Sequence, residues 1–113
     1  MKLTKLVIAL LLACSASFSM AADKAPALDK NTCGKIEYPK AALINEEAGV
    51  VLMSLLVGAD GTVTDSKLEK SSGSKTLDKA AVKIYSACKY SPATKDGKSE
   101  QAWTKIEHVW SLT

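Results

Sequence analysis

The segment from Gly49 to Ser72 constrains the fold of this chain more than any other, because it has the pattern of a β-hairpin. A run rich in β-branched and aliphatic residues over 50–57, with Ser54 as its one polar residue, precedes Asp60 and Gly61, and a more polar run follows them. Asp-Gly between two β-prone runs predicts a tight turn, because glycine adopts a positive φ without a steric clash. The first strand is apolar at odd and even positions alike, so we expect it to be central and covered on at least one face.

The second strand of this hairpin has only two clear apolar residues, Val63 and Leu68. They differ in parity, so a regular strand would point them to opposite faces of the sheet. A β-bulge near Asp65 and Ser66 would let both point inward.

Two helices are predicted to flank the hairpin. Pro39 suits the first turn of a helix over residues 40–48. The apolar residues 41–44 of this helix should pack on the sheet. Gly49 should end the helix by adopting a left-handed conformation. After the hairpin, Ser74 is a plausible N-cap for a helix over residues 75–88. An apolar stripe at helical spacing supports the second helix: Leu77, Ala80, Ala81, Ile84 and Cys88.

Three elements are predicted in the last 24 residues. A short extended segment lies at Tyr90–Pro92, and a second Asp-Gly turn follows at residues 95–98. A final strand then runs over residues 101–112. The even-numbered residues of that strand should face the helices, with Ile106 and Trp110 in the core. His108 is then a packed neutral histidine rather than a ligand or a base. The element order α-β-β-α-β predicts an α+β fold of two layers, a three-stranded antiparallel sheet with two helices on one face.

The first 21 residues have the pattern of a secretory signal peptide. Lys2 and Lys5 precede a short apolar run over residues 6–13, and small residues lead to a cleavage point after Ala21. The run is shorter than the about 20 residues that a membrane-spanning helix requires. Two alternatives remain, an uncleaved anchor and lipoprotein processing at Cys14. We expect the product in the periplasm, with a short flexible leader at residues 22–35 and one domain at residues 36–113.

Two cysteines remain after the predicted cleavage, Cys33 and Cys88. An even pair in a small exported domain predicts a structural disulfide, because such a domain buries only a modest core. The alternatives, a redox pair and a metal site, lack a CxxC motif and a second histidine.

Composition and motifs limit the classes of function. Cleavage would leave 13 lysines against 12 acidic residues, a net charge of about +1, and the chain has no arginine; nucleic acid is therefore not an expected partner. Lys75, Lys79 and Lys83 form either a solvated helix face or a patch for an acidic partner. No catalytic or cofactor-binding motif is present, so we expect neither an enzyme nor a bound cofactor or metal.

Six short motifs in this order resemble the C-terminal domain family of TonB. They are Tyr38-Pro39-Lys40-Ala41-Ala42, Gly49-Val50-Val51, Asp60-Gly61-Thr62-Val63, Ser71-Ser72-Gly73, Leu77-Asp78-Lys79-Ala80-Ala81 and Tyr90-Ser91-Pro92. The resemblance implies a domain that contacts outer-membrane transporters by adding a transporter's TonB-box peptide as a strand beside its last long strand.

Transferred to this sequence, the implied partner-binding edge is the segment Lys105, Ile106, Glu107, His108, Val109, Trp110, Ser111 and Leu112. A free strand edge offers unpaired N–H and C=O groups to an extended peptide. Two other roles of this edge remain open. Lys105 and Glu107 could be charges that protect an edge strand from aggregation, or the edge could pair with a second copy of the chain. The chain shows no lasting anchor, proline-rich spacer or proton-coupling Ser/His motif, so we expect a stand-alone exported member. The alternative is a disulfide-clamped envelope inhibitor or stability module that uses the turn at residues 59–61 or 95–98.

Overall fold

The computed structural model describes residues 23–113. The predicted signal peptide and the alternative lipoprotein site at Cys14 lie outside the described residues. The elements, in chain order, are β1 (Ala27–Asp29), a 3-10 helix (Lys30–Thr32), α1 (Lys40–Ile44), β2 (Gly49–Val57), β3 (Val63–Lys70), α2 (Lys75–Ala87), β4 (Lys89–Ser91), β5 (Ala93–Lys95), β6 (Lys98–Glu100) and β7 (Ala102–Trp110).

The main sheet has three antiparallel strands in the order β3-β2-β7. β2 is therefore central, as its predominantly apolar sequence predicts. Four of its odd-numbered residues are fully buried, and they are Val51, Met53, Leu55 and Val57. This face packs against both helices and forms the core with Leu77, Ala81 and Tyr85 of α2 and Ala42 of α1. The predicted α+β architecture, with the helices on one face of a three-stranded sheet, is confirmed.

The predicted bulge in β3 is present one residue before Asp65. Leu56 pairs with Asp65, whereas Val57 pairs with Val63, so Thr64 is an extra residue in the strand. Because of this insertion, Val63 and Leu68 both lie opposite buried residues of β2. Leu68 nevertheless keeps 47% of its surface exposed, because β3 is the last strand on its side of the sheet.

The helix α2 follows the prediction closely. The Ser74 hydroxyl accepts a hydrogen bond from the Leu77 N–H at 3.2 Å, which makes Ser74 the N-cap. Leu77 and Ala81 are fully buried, and Cys88 lies just after the last helical residue with 1% of its surface exposed.

The helix α1 is shorter than predicted, and the expectation that Gly49 would end it is wrong. It stops at Ile44, and Glu46 rather than Gly49 adopts the left-handed conformation, with a φ of 52°. Gly49 instead begins β2, where an added Cβ would lie 2.6 Å from the Ser72 carbonyl oxygen. Of the apolar residues expected to pack on the sheet, Ala42 is buried while Ile44 is 80% exposed.

The stretch before α1 contains regular structure, which differs from the expected flexible leader. β1 pairs with β4 in antiparallel fashion, and Lys24 forms a bridge with Thr94 of β5. The Thr32 hydroxyl accepts a hydrogen bond from the Lys89 N–H at 2.7 Å. Sequence alone did not indicate this pairing, because three residues without periodicity give no strand signal.

The predicted disulfide joins Cys33, just after the 3-10 helix, to Cys88 at the end of α2. Its Cα atoms are 4.4 Å apart, and the bridge encloses a sequence separation of 55 residues. Cys88 belongs to the hydrophobic core, and Cys33 packs against it. The bridge thus ties the N-terminal segment to α2.

The second Asp-Gly turn is also confirmed. Asp96 and Gly97 both have positive φ, 52° and 79°, and they connect β5 directly to β6. This two-residue loop is the type that matches the twist of a hairpin.

Candidate functional site: the free edge of the last strand

The candidate site is the free edge of β7, the strand that contains most of the predicted partner-binding residues. It is nine residues long and pairs with β2 over its whole length, from Ala102 opposite Val57 to Trp110 opposite Gly49. Within residues 23–113, no strand pairs with its other edge. Alternate N–H and C=O groups of β7 therefore point away from β2. Such a row of groups is a template for pairing with another extended chain.

Six of the eight predicted partner-binding residues belong to this strand. Lys105, Glu107 and Val109 are exposed, and they lie on the sheet face away from the helices. Ile106 and His108 are half-buried on the helix side, and Trp110 is buried with 4% of its surface exposed. A partner strand would therefore meet Trp110 through its backbone rather than its side chain.

The last two predicted residues, Ser111 and Leu112, lie beyond the end of β7. Ser111 is engaged locally, because its hydroxyl accepts a hydrogen bond from the Thr113 N–H at 3.4 Å. Leu112 is 45% exposed and does not fill the core, contrary to its place in the alternating pattern. The edge available for strand pairing thus ends at Trp110.

His108 is packed between two aromatic residues on the helix side of β7. Its Nδ1 lies 2.8 Å from the Tyr85 hydroxyl, and its ring centroid lies 4.5 Å from that of Trp110 in an edge-to-face arrangement. Burial lowers the pKa of His108 below its usual 6.5. The imidazole is therefore neutral at pH 7, as expected for a packed histidine.

Trp110 fixes the end of β7 against the entry to α1. Its ring lies 5.0 Å from that of Tyr38 in an edge-to-face contact, and the Tyr38 hydroxyl donates a hydrogen bond to the Glu47 carbonyl. These contacts hold the strand rigidly at the end where the binding edge finishes.

The sheet face away from the helices is partly covered by long side chains. The Lys67 ammonium lies 5.0 Å from the ring centroid of Trp103, which is itself 42% exposed. The Ser54 hydroxyl donates to a Glu69 carboxylate oxygen at 2.6 Å, and Ser54 is buried beneath it. Trp103 is the second residue of β7 and adds an aromatic surface beside the free edge that the sequence interpretation did not include.

A cavity of about 270 Å³ lies next to the disulfide, lined by Leu28, Lys30, Cys33, Gly34, Ile36 and Tyr85. Tyr85 connects this cavity to β7 through its contact with His108. The sequence interpretation did not count Tyr85 among the residues of the apolar stripe of α2, although Tyr85 lies on the buried face. Its spacing of four residues from Ala81 is the signal that would have placed it on the buried face.

The two turns considered as alternative contact surfaces differ in their surroundings. The Gly61 carbonyl accepts a hydrogen bond from the Tyr90 N–H at 2.9 Å, so the first hairpin tip is tied to β4. Asp60 accepts from the Thr62 hydroxyl and N–H, and these hydrogen bonds lower its pKa. Both residues thus have structural roles. The turn at residues 95–98 is exposed.

No helix within residues 23–113 is long and apolar enough to cross a membrane. No group of three or more His, Cys, Asp or Glu side chains in the same part of the chain is placed to hold a metal ion.

The structure is a small α+β domain whose last strand, β7, has one edge without a strand partner within residues 23–113. The family profile described as the Gram-negative bacterial TonB protein C-terminal matches residues 34–112. The chain therefore belongs to the TonB C-terminal domain family, which is associated with TonB-dependent transport.

Relatives and solved structures agree with this assignment. The chain is 36% identical over 70 residues to Protein tonB2 of Pseudomonas aeruginosa, and the aligned region covers 62% of this chain and 26% of that protein. It is 49% identical over 45 residues to Protein TonB of Haemophilus influenzae, and that aligned region covers 40% of this chain and 17% of that protein. The chain thus spans about a quarter or less of the curated relatives it matches.

Among solved structures, the solution structure of the Helicobacter pylori TonB C-terminal domain superposes with a TM-score of 0.57 at 32% identity. It covers 74% of this chain and 77% of that domain. The solution structure of the Pseudomonas aeruginosa TonB C-terminal domain gives a TM-score of 0.59 at 18% identity, which supports the fold.

Proposed function

We propose that this chain is a periplasmic protein that takes part in TonB-dependent transport. It binds an extended segment of an outer-membrane transporter, or of another envelope protein, by β-strand addition. The observation that supports this proposal most is the free edge of β7, which runs for nine residues without a strand neighbour among residues 23–113. Membership of the TonB C-terminal domain family supports the kind of partner. Binding, rather than catalysis, is the function that such an edge performs.

The side chains along the edge suit a partner of mixed character. Lys105 and Glu107 offer one charge of each sign on the outer face, and Val109 offers an apolar contact with 58% of its surface exposed. Backbone hydrogen bonds would supply most of the affinity, while these side chains would select among partner sequences. Because β7 is already paired with β2 and packed through His108 and Trp110, little ordering of this strand is needed on binding.

The experiment is a titration of ¹⁵N-labelled protein with a TonB-box peptide of an outer-membrane transporter. Amide resonances of residues 105–110 should shift, and those of β3 should not, because β3 lies on the opposite edge of the sheet. The absence of shifts at millimolar peptide would contradict the proposal.

A matched pair of peptides makes the test specific for backbone pairing. In an antiparallel or parallel pair, alternate residues of the added strand point their N–H groups toward the neighbouring strand. Methylation of two alternate peptide nitrogens on that side should weaken binding by at least about tenfold, since each lost hydrogen bond contributes about 1 kcal/mol. Methylation of the intervening nitrogens should have little effect. Equal weakening by both peptides would rule out strand addition.

Self-association through β7 is a distinct outcome. If two copies pair along this edge, the rotational correlation time of the free protein will rise with its concentration, and peptide will reverse the rise. A concentration-independent monomer that still binds peptide would assign the edge to the envelope partner alone.

Localisation is tested by the mass of the protein recovered from the envelope fraction. Export with cleavage after Ala21 predicts a mature chain that begins at Ala22 and lacks Cys14. A lipid-modified N-terminal cysteine would instead support processing at Cys14. Recovery of the whole chain from the cytoplasm would contradict the periplasmic assignment.

A further inference from the structure

A groove of about 390 Å³ lies between β3 and α2, at the edge of the sheet opposite to β7. It is lined by Ser66, Leu68, Asp78, Lys79, Val82 and Lys83. Leu68 faces the core side of the sheet but remains 47% exposed, because no further strand or helix among the described residues covers it. Val82 is half-buried beside it and packs against the core. The floor of the groove is therefore apolar and open.

The groove borders a second unpaired strand edge. β3 pairs with β2 on one side only, and within residues 23–113 no strand occupies its other side. An extended chain could thus form backbone hydrogen bonds with β3 and point alternate side chains into the groove.

The charge of the groove is positive. Lys79 and Lys83 are both exposed and lie one helical turn apart on α2, so their ammonium groups border the same side of the apolar floor. Asp78 is the one acidic residue in the lining, and its carboxylate is directed to the loop before α2. It accepts hydrogen bonds from the Ser72 N–H at 2.8 Å and from the hydroxyls of Ser71 and Ser72. It is also 94% buried, since only 6% of its surface is exposed.

We propose that this β3–α2 groove binds an extended acidic segment of a partner protein, which adds to the free edge of β3. One apolar side chain of the segment lies on Leu68 and Val82, and carboxylates two residues away on the same face lie beside Lys79 and Lys83. The site is separate from β7, so the domain can hold two extended segments at once, one at each edge of its sheet.

The test uses the full chain and the peptide Ac-Thr-Glu-Thr-Leu-Thr-Glu-Thr-NH2, which places the leucine and both glutamates on one face. Amide resonances of residues 63–70 and 78–83 should shift during the titration. A peptide with lysine in place of both glutamates should bind at least about fivefold more weakly at low ionic strength, and this difference should shrink with added salt.

Variants identify the side chains involved. The double variant Lys79→Glu/Lys83→Glu should weaken binding of the acidic peptide at least about fivefold and improve binding of the lysine peptide. Lys75→Glu is the matched control on the same helix, because Lys75 is exposed but does not line the groove; it should change affinity less than about twofold. Leu68→Thr should weaken both peptides, and thermal unfolding of each variant will show that it is folded.

Three results would overturn the proposal. They are the absence of shifts at millimolar peptide, shifts confined to β7, and equal affinity for the acidic and lysine peptides. Because the peptides for β7 and for this groove are titrated separately, failure at one edge is distinguishable from failure at the other.

Discussion

Replacing Cys33 and Cys88 together by alanine should lower the free energy of unfolding by about 4 kcal/mol. The bridge encloses a sequence separation of 55 residues, and closing a loop of that length removes this much entropy from the unfolded chain on the chain-entropy model. Cys88 is 1% exposed, so loss of its sulfur atom also leaves a small cavity that adds to the effect. A domain of this size has a total stability of about 5–15 kcal/mol, so the change is a large part of it.

The assay is thermal unfolding followed by circular dichroism, with and without reductant. The double variant should unfold roughly 20 °C below the oxidised protein, since 1 kcal/mol shifts Tm by about 4–8 °C in a small domain. Reductant should lower the Tm of the unmodified protein by a similar amount and leave the double variant unchanged. A loss below about 1 kcal/mol would refute the reasoning that the bridge stabilises the fold through the unfolded chain.

Three further changes test the contacts that shape the domain. Gly61→Ala should destabilise it by at least about 2 kcal/mol in urea unfolding, because Gly61 has a φ of 87° and an added Cβ would lie 2.2 Å from the Tyr90 carbonyl oxygen; unchanged stability would contradict this contact. Burial alone would raise the pKa of Asp78, but hydrogen bonds from Ser71 and Ser72 outweigh it and lower the pKa. Asp78→Ala should therefore cost about 2–3 kcal/mol near pH 7 and much less at acid pH, since the stabilisation is lost as pH falls from the usual 3.8 through the lower folded pKa. The pKa of His108 is lowered by burial, so the unfolded chain binds more protons and stability should fall as pH drops from about 6.5 toward the folded pKa. His108→Gln should remove that part of the pH dependence of Tm, and an unaltered profile would contradict it.

The main sheet and α2 were predictable because their signals are local. A predominantly apolar run, two Asp-Gly turns and a stripe at helical spacing each specify an element without reference to the rest of the chain. The parity difference between Val63 and Leu68 even indicated a bulge, which the structure places at Thr64.

The features that sequence reasoning missed depend on distant contacts. β1 exists because three residues pair with β4, which no local pattern records. The early end of α1 rests on Glu46 in a left-handed conformation, which is uncommon for a residue other than glycine. Leu112 follows the alternation of β7 yet lies beyond the strand.

The candidate site was reached from the family resemblance rather than from the residues themselves. Whether a strand is central or at an edge depends on strand order, and β7 has an alternating pattern compatible with either position. The groove beside Leu68 likewise follows from β3 being the other edge of the sheet.

Strand addition at β7 is tested most directly by nuclear Overhauser effects between a bound TonB-box peptide and ¹³C,¹⁵N-labelled protein. The account predicts contacts between the backbone protons of the peptide and those of residues 105–110, in a ladder that continues the β2–β7 pairing. A complex in which the peptide shows contacts only to side chains, or only to residues outside β7, would contradict it.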